Sequence, residues 1–248
     1  MKPLDAVELL SAWEHGLNQP VLQRALILIT AACPELNPEA AAEMSIGERD
    51  ARLLQLREWM FGSRLLNTAQ CPQCGEQVEW EGKTTDLRIQ TIDDIGPAEE
   101  FSLEVDDYRL RFRLPTSSDI AAVLAITQND RDSGVAALIK RSIVSIDLGG
   151  KPCNLADLPQ HAVDALGQKI ATLDPQAEIR INLTCPECSH QWQVLFDIAS
   201  FLWTEINNWA EHTLRTVHRL AKAYGWTEAE ILNLSPVRRQ LYLGMVNQ

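Results

Sequence analysis

The sequence predicts an α+β fold: helical regions at both ends of the chain around a central β-rich section, into which a large α/β subdomain is inserted. Three observations predict it. Two units of one pattern, Cys71-Pro72-Gln73-Cys74 and Cys185-Pro186-Glu187-Cys188, each sit between strand-like residues, more than a hundred positions apart. Apolar residues recur at steps of three and four near both ends of the chain. Residues 101–114 alternate with the period of two that marks a half-buried strand pair. The boundaries that follow are an N-terminal helical region over 1–67, a central section over 68–199 with its insertion at about 84–178, and a C-terminal helical region over 200–248.

Taken in order, Leu4, Val7, Leu10 and Leu17 mark a first short helix face, and Pro20 opens a second segment that stops at Cys33-Pro34. A third helix starts at Ser45, with Glu48 three residues on as the second arm of a capping box, and carries Leu53, Leu56, Met60 and Leu65. Residues 68–80 read as strand, tight turn, strand. In the hairpin over 101–114, Phe101, Leu103 and Val105 face Tyr108, Leu110, Phe112 and Leu114 across Asp106-Asp107. Pro115-Thr116-Ser117-Ser118-Asp119 ends that hairpin and caps a helix carrying Ile120, Val123, Leu124 and Ile126. Helices are expected over 133–144 and 162–173, with a turn at Asp147-Leu148-Gly149-Gly150 between them. Strands over 179–183 and 192–196 flank the second cysteine pair. Leu202, Ile206, Trp209, Thr213, Val217, Leu220 and Tyr224 then form one continuous helical stripe, which Gly225 ends. Thr227 and Glu230 make another capping box, and Ser235-Pro236 starts a final helix with proline at its preferred first position.

The chain has 248 residues, 46% hydrophobic and 23% charged, ordinary values for a globular protein with a sizeable core. Its net charge of −12 argues against nucleic acid, whose phosphates demand a basic face. Acids concentrate over 86–107, where Asp86, Asp93, Asp94, Glu99, Glu100, Glu104, Asp106 and Asp107 face Arg88 alone. That run is either a solvated face or a docking strip for a basic partner. Nothing near Met1 has the pattern of a secretion signal, and the longest apolar stretch, 25–33, is too short to span a bilayer. The expectation is a soluble, cytoplasmic protein whose six cysteines serve metal ligation rather than disulfides.

The Cys-x-x-Cys pairs carry the chemistry. A pair in a tight turn points both sulfurs to one side and supplies half of a tetrahedral site. Gly75 follows the first pair and frees the backbone to turn back; Ser189 stands there in the second, an imperfect copy. Cys71, Cys74, Cys185 and Cys188 together make a closed set of four thiolates, the ligand set of a structural zinc ribbon, with one Zn2+ expected. Iron is the alternative metal. His190 is an alternative ligand, and redox chemistry at either pair is disfavoured because neither opens a helix that would lower a thiol pKa. Closing so long a loop is feasible, since its entropic cost grows only logarithmically with length. No catalytic grouping emerges. Cys33-Pro34-Glu35 with a distant cysteine pair has the letters of a zinc deaminase but lacks the proline before the pair, and the five histidines form no triad. Cys33 reads as a buried helix end and Cys153 as a loop thiol. The protein is read as a non-enzyme.

The C-terminal segment has a pattern of its own. A helix ends in Leu220-Ala221-Lys222-Ala223-Tyr224-Gly225-Trp226, a capped short helix follows, and the last helix carries Arg238-Arg239-Gln240-Leu241-Tyr242. This resembles the tail of baseplate hub assembly proteins of contractile (T-even-like) phages and of extracellular contractile injection systems. Leu114-Pro115-Thr116-Ser117-Ser118-Asp119 and the paired cysteines are similar to zinc-ribbon members of that group. The resemblance implies a non-enzymatic assembly factor, or minor structural component, of a contractile tail baseplate, with hub or other tail proteins as partners. Read from the residues alone, Tyr224, Trp226 and Tyr242 beside Arg219, Lys222, Arg238 and Arg239 are either core for short helices or the aromatic–arginine centre of an interface. Arg219, Tyr224, Trp226, Arg238, Arg239 and Tyr242 are therefore the partner-binding candidates. A zinc-ribbon adaptor of the transcription apparatus is the alternative.

Overall fold

The structure, a computed structural model, describes residues 1–89, 100–127 and 131–246. The first half of the chain forms α1 (Ala6–Gly16), α2 (Val21–Ala32), α3 (Pro38–Ala42), α4 (Ile46–Phe61), β1 (Arg64–Gln70), β2 (Gln77–Lys83), α5 (Thr84–Leu87), β3 (Phe101–Val105) and β4 (Tyr108–Phe112). The second half forms α6 (Ser117–Thr127), α7 (Arg131–Ser142), β5 (Ile143–Leu148), β6 (Lys151–Pro152), α8 (Gln160–Leu173), β7 (Arg180–Thr184), β8 (Gln191–Leu195), α9 (Ile198–Tyr224), α10 (Glu228–Leu232) and α11 (Pro236–Val246). Helices and small antiparallel sheets coexist, as an α+β reading requires. Among the described residues no helix is long and apolar enough to cross a membrane. By contacts the chain divides into two compact units, Met1–Glu35 with Ala199–Gln248, and Leu36–Ile198.

The first unit is helical. Asp5 caps α1 by accepting from the Val7 and Glu8 amides while Glu8 reaches back to the Asp5 amide. Leu10, Ala210, Val217, Leu220, Ile231, Leu232 and Leu243 form its buried core. Gly16 lets α1 meet α9 closely, since a Cβ there would lie 2.3 Å from the Trp203 ring. Trp13 donates its indole N–H to Asn207 across the same pair of helices at 3.0 Å. Gly225, at φ 70°, ends α9, and Thr227 and Glu230 form the expected capping box of α10. The Ser235 hydroxyl accepts from the Arg238 amide at 3.3 Å and starts α11.

The second unit holds all the sheets. β1 pairs with β2, β7 with β8, and β3-β4-β5-β6 form an antiparallel sheet. The expected hairpin is present, β3 and β4 pairing across Asp106-Asp107 with Asp106 left-handed at φ 54°. Helix α8 covers the sheet, and Leu110, Phe112, Ile146, Leu158, Ala162, Val163 and Leu166 fill the space between. Several expectations need correction. The third helix ends at Phe61 because Gly62 takes φ 85°, so Leu65 belongs to β1 and not to the helix. The helix expected over 133–144 ends at Ser142, and Ile143–Leu148 pairs with β4. Only Gly149 and Gly150, at φ 57° and 82°, form the turn. Ser45 accepts from the Glu48 amide at 3.1 Å, but the Glu48 carboxylate binds Arg52 at 2.6 Å, so the N-cap holds in one direction. The second contribution to that helix start comes from far along the chain: buried Asp174 accepts from the Gly47 amide at 3.0 Å.

Leu114-Pro115-Thr116-Ser117-Ser118-Asp119 is an architectural joint. The Pro115 carbonyl accepts from the Ile46 amide at 3.1 Å, tying the strand exit to the start of α4. Asp119, 1% exposed, receives both Nη atoms of Arg113 at 2.5 and 2.9 Å, Nε of Arg141 at 3.1 Å and the Thr116 amide at 3.0 Å. Burial alone would raise this carboxyl, but the Arg113 guanidinium, the Thr116 amide and Arg141 hold it down at about 2. Part of the acidic run over 86–107 lies outside the described residues. Within them, Glu100 pairs with Arg111, Glu104 with Arg109 at 2.7 Å and Asp106 with His161 at 2.7 Å, so much of that charge is locally answered.

Candidate metal centre and C-terminal aromatic cluster

The two cysteine turns are geometric twins. In the first, the Cys71 amide donates to the Glu76 carbonyl at 2.8 Å and the Gly75 amide to the Cys71 carbonyl at 2.9 Å. In the second, the Cys185 amide donates to the His190 carbonyl at 2.9 Å and the Ser189 amide to the Cys185 carbonyl at 3.0 Å. Gly75 at φ 80° and Ser189 at φ 58° occupy the same left-handed position. Ser189 is thus the full equivalent of Gly75 in conformation, at the cost of a Cβ in a region that favours glycine.

The folding of the chain brings these turns together. Cys71 Sγ lies 3.7 Å from Cys188 Sγ, and Cys74 Sγ lies 3.5 Å from Cys185 Sγ. All four sulfurs fall within 4.8 Å of one another. Disulfide bonding is excluded at these separations. Tetrahedral bonds of about 2.3 Å to one ion would space sulfurs roughly 3.8 Å apart, which matches. Cys71 and Cys185 are buried, Cys188 half-buried and Cys74 exposed. Val78 and Trp192 pack against the cluster, and Trp80 of β2 meets Phe196 edge-on at 5.7 Å, so apolar contact supports the approach of the two hairpins.

The electrostatics agree. Burial raises the Cys71 thiol, but the backbone N–H groups of Cys74 and Gln73 and the neighbouring thiols outweigh it and bring it to about 7. At Cys74 the Glu76 amide favours the thiolate, yet burial and the three other sulfurs push it up to about 12. Four sulfurs this close hold one negative charge readily and further ones only with a cation among them. The donor set therefore fits a metal ion with thiolate affinity and no position left for substrate. Among the described residues this is the one His/Cys/Asp/Glu cluster with metal-binding geometry. His190 stands outside it, its ring stacked on Trp192 with centroids 6.0 Å apart. Cys33 is buried at the end of α2, and Cys153 is half-buried beyond β6.

The C-terminal candidates form a second cluster. Tyr224 stacks on Trp226 with centroids 4.6 Å apart, and Tyr242 meets Trp226 edge-on at 4.8 Å and Tyr224 at 5.7 Å. Trp226 and Tyr242 pack against the helical core, while Tyr224 stays 39% exposed. Arg219 and Arg238 are exposed and Arg239 is half-buried. The rings thus bind α9, α10 and α11 to one another and leave their edges at the surface. The sequence reading passed over Val237, Leu241 and Met245, which lie exposed along α11; their spacing of four was the available signal.

No curated protein and no solved structure matches this chain. The family described as T4 bacteriophage base plate protein matches over residues 6–203, from α1 into the first turns of α9, and so across both cysteine turns and the Thr116–Asp119 joint. The matched region stops short of the segment 217–242 in which the C-terminal pattern lies. Covering most of the chain, this match makes the protein a member of the T4 bacteriophage base plate protein family.

Proposed function

We propose that this protein is a non-enzymatic assembly factor, or minor structural component, of a phage-type contractile tail baseplate, built around one structural zinc ion. The observation that carries the reading is the family match over 6–203. The four-sulfur cluster supports its second half: Cys71, Cys74, Cys185 and Cys188 would hold the ion, closing a ribbon from two hairpins that are 111 positions apart in sequence. A closed thiolate site with no spare position suits a structural ion such as zinc; iron takes the same four ligands, and elemental analysis separates the two. The metal supplies cohesion when bound; the chain's own residues orient the sulfurs and shield them.

The helical ends would engage baseplate hub or other tail proteins, through a surface that includes Arg219, Tyr224, Trp226, Arg238, Arg239 and Tyr242. Such a protein acts in the cytoplasm of the producing cell, during tail assembly. A transcription-adaptor role draws no support from the family match. The test is affinity purification of the full chain from cells producing tails. Recovery of identified tail proteins is the expected result; recovery of none, or of RNA polymerase instead, sinks the reading. Elemental analysis of the same material should find one zinc per chain.

A further inference from the structure

Helix α11 is apolar on two faces. Its inner face places Leu243 in the core, with Tyr242 and Val246 packed against it. Its outer face carries Val237, Leu241 and Met245 at steps of four, 69%, 61% and 60% exposed. Single exposed aliphatics are ordinary, but three in register along two turns form the anchor row by which one amphipathic helix receives another. Gly244 adds to this. A helix interior is weakened by glycine, and, apart from the adjoining residues and the helix's own backbone, no described atom lies within 4 Å of where a Cβ at 244 would sit. Its missing side chain serves no packing within this chain and leaves the helix backbone open to close approach beside Leu241 and Met245.

The charge around α11 is as distinctive. The chain carries 34 acidic residues, yet 231–248 contains none. Among the described residues Arg238 and Arg239 have no ion pair, and neither has Arg219 near the end of α9. Burial lowers the Arg239 pKa, as expected for a guanidinium partly inside the helical core. An anionic bilayer is a poor candidate, because surfaces that bind anionic lipid gather about four to eight Lys or Arg, and 231–248 holds only Arg238 and Arg239.

We propose that the outer face of α11 receives an acidic amphipathic helix of a partner tail protein. Its apolar stripe would lie on Val237, Leu241 and Met245, with a carboxylate on Arg238, which flanks that stripe, while half-buried Arg239 stands on the inner row with Leu243. This rests on the baseplate reading and specifies where, and by what chemistry, the partner is held.

The test uses the full chain with photo-crosslinking benzoylphenylalanine in place of Leu241, produced in cells assembling tails, and mass spectrometry of the crosslinked peptide. The expected adduct is a tail-protein segment whose apolar residues recur at three and four and whose acids outnumber its bases. Arg238→Glu should cut recovery of that protein by about ten-fold or more, with circular dichroism and zinc content unchanged, while Arg238→Lys retains most of it. A crosslink to lipid, to a second copy of this chain or to a basic segment overturns the inference. So does a chain that still co-purifies tail proteins yet gives no adduct from position 241. Failure to co-purify any tail protein, by contrast, overturns the baseplate reading itself and this inference with it.

Discussion

Ser189 holds a left-handed backbone where its twin turn has glycine, and such a conformation costs an L-residue about 1 kcal/mol. Ser189→Gly removes that strain while loosening the unfolded chain, so a gain of about 0.5 kcal/mol is expected, read as a higher urea midpoint of the metal-loaded protein. Gly75→Val should move it the other way by about 1–2 kcal/mol, since a β-branched residue tolerates this region worst. At Asp119 the sign follows from its lowered pKa. The carboxylate is held near 2 in the folded state against about 3.9 unfolded, so its contribution is complete above the unfolded value and is lost as pH falls from about 4 towards 2. That difference is worth about 2–3 kcal/mol. Asp119→Asn should therefore be less stable than the parent by about that much at pH 7, and the gap between the two unfolding curves should close below pH 4. A gap that persists undiminished at pH 2 would mean that acceptor oxygens the amide cannot replace, not charge, are what Asp119 supplies.

The start of α4 shows how a helix end can depend on a distant residue. Replacing glycine by alanine inside a helix ordinarily gains about 1 kcal/mol. At Gly47 a Cβ would sit 1.8 Å from Asp174 Oδ1 and 3.0 Å from the Ala177 amide. That overlap, costing about 1–3 kcal/mol, outweighs the gain, so Gly47→Ala is expected to destabilise in urea unfolding, and Asp174→Ala in the same chain should recover part of the loss. Nothing near Ser45 in sequence announces Asp174, because the contact spans 127 positions. The same limit explains what the sequence showed and what it hid. Capping boxes at Thr227, the Asp106 hairpin and the cysteine turns are written in neighbouring residues, and all are present. Strand β5 was hidden because it follows α7 without a break: Ile143, Val144 and Ile146 suit a helix face as well as a strand, and only pairing with β4 decides. At the C-terminus the aromatic residues drew attention away from the plainer row of Val237, Leu241 and Met245, since ring chemistry is conspicuous and exposure cannot be read from letters.

At the scale of the molecule, the proposed metal and the hydrophobic cores do separate work. The sheet β3-β4-β5-β6 with α8 has its own buried core of seven residues, and none of them touches the sulfurs. The two cysteine hairpins are two-stranded, and a two-stranded sheet is marginal in water without further support. Around the sulfurs that support is slight: Cys71, Val78 and Cys185 are the buried residues of their cluster. Structural zinc in small domains contributes on the order of 10 kcal/mol, far more than three side chains can replace. Removing the ion with a strong chelator should therefore release residues 64–83 and 180–195 to fast hydrogen exchange while the amides of β4 and β5 stay protected. Acid should do the same, because each sulfur must lose its proton to bind, so protons compete with the ion for all four. Cys74→Ser should shift the pH of zinc release upward, followed by a colorimetric chelator, with the sheet amides again unaffected. If instead the sheet and the hairpins lost protection together on chelation, the ion would be holding the whole of 36–198, and its role would be to fold that unit rather than to fasten two turns at its margin.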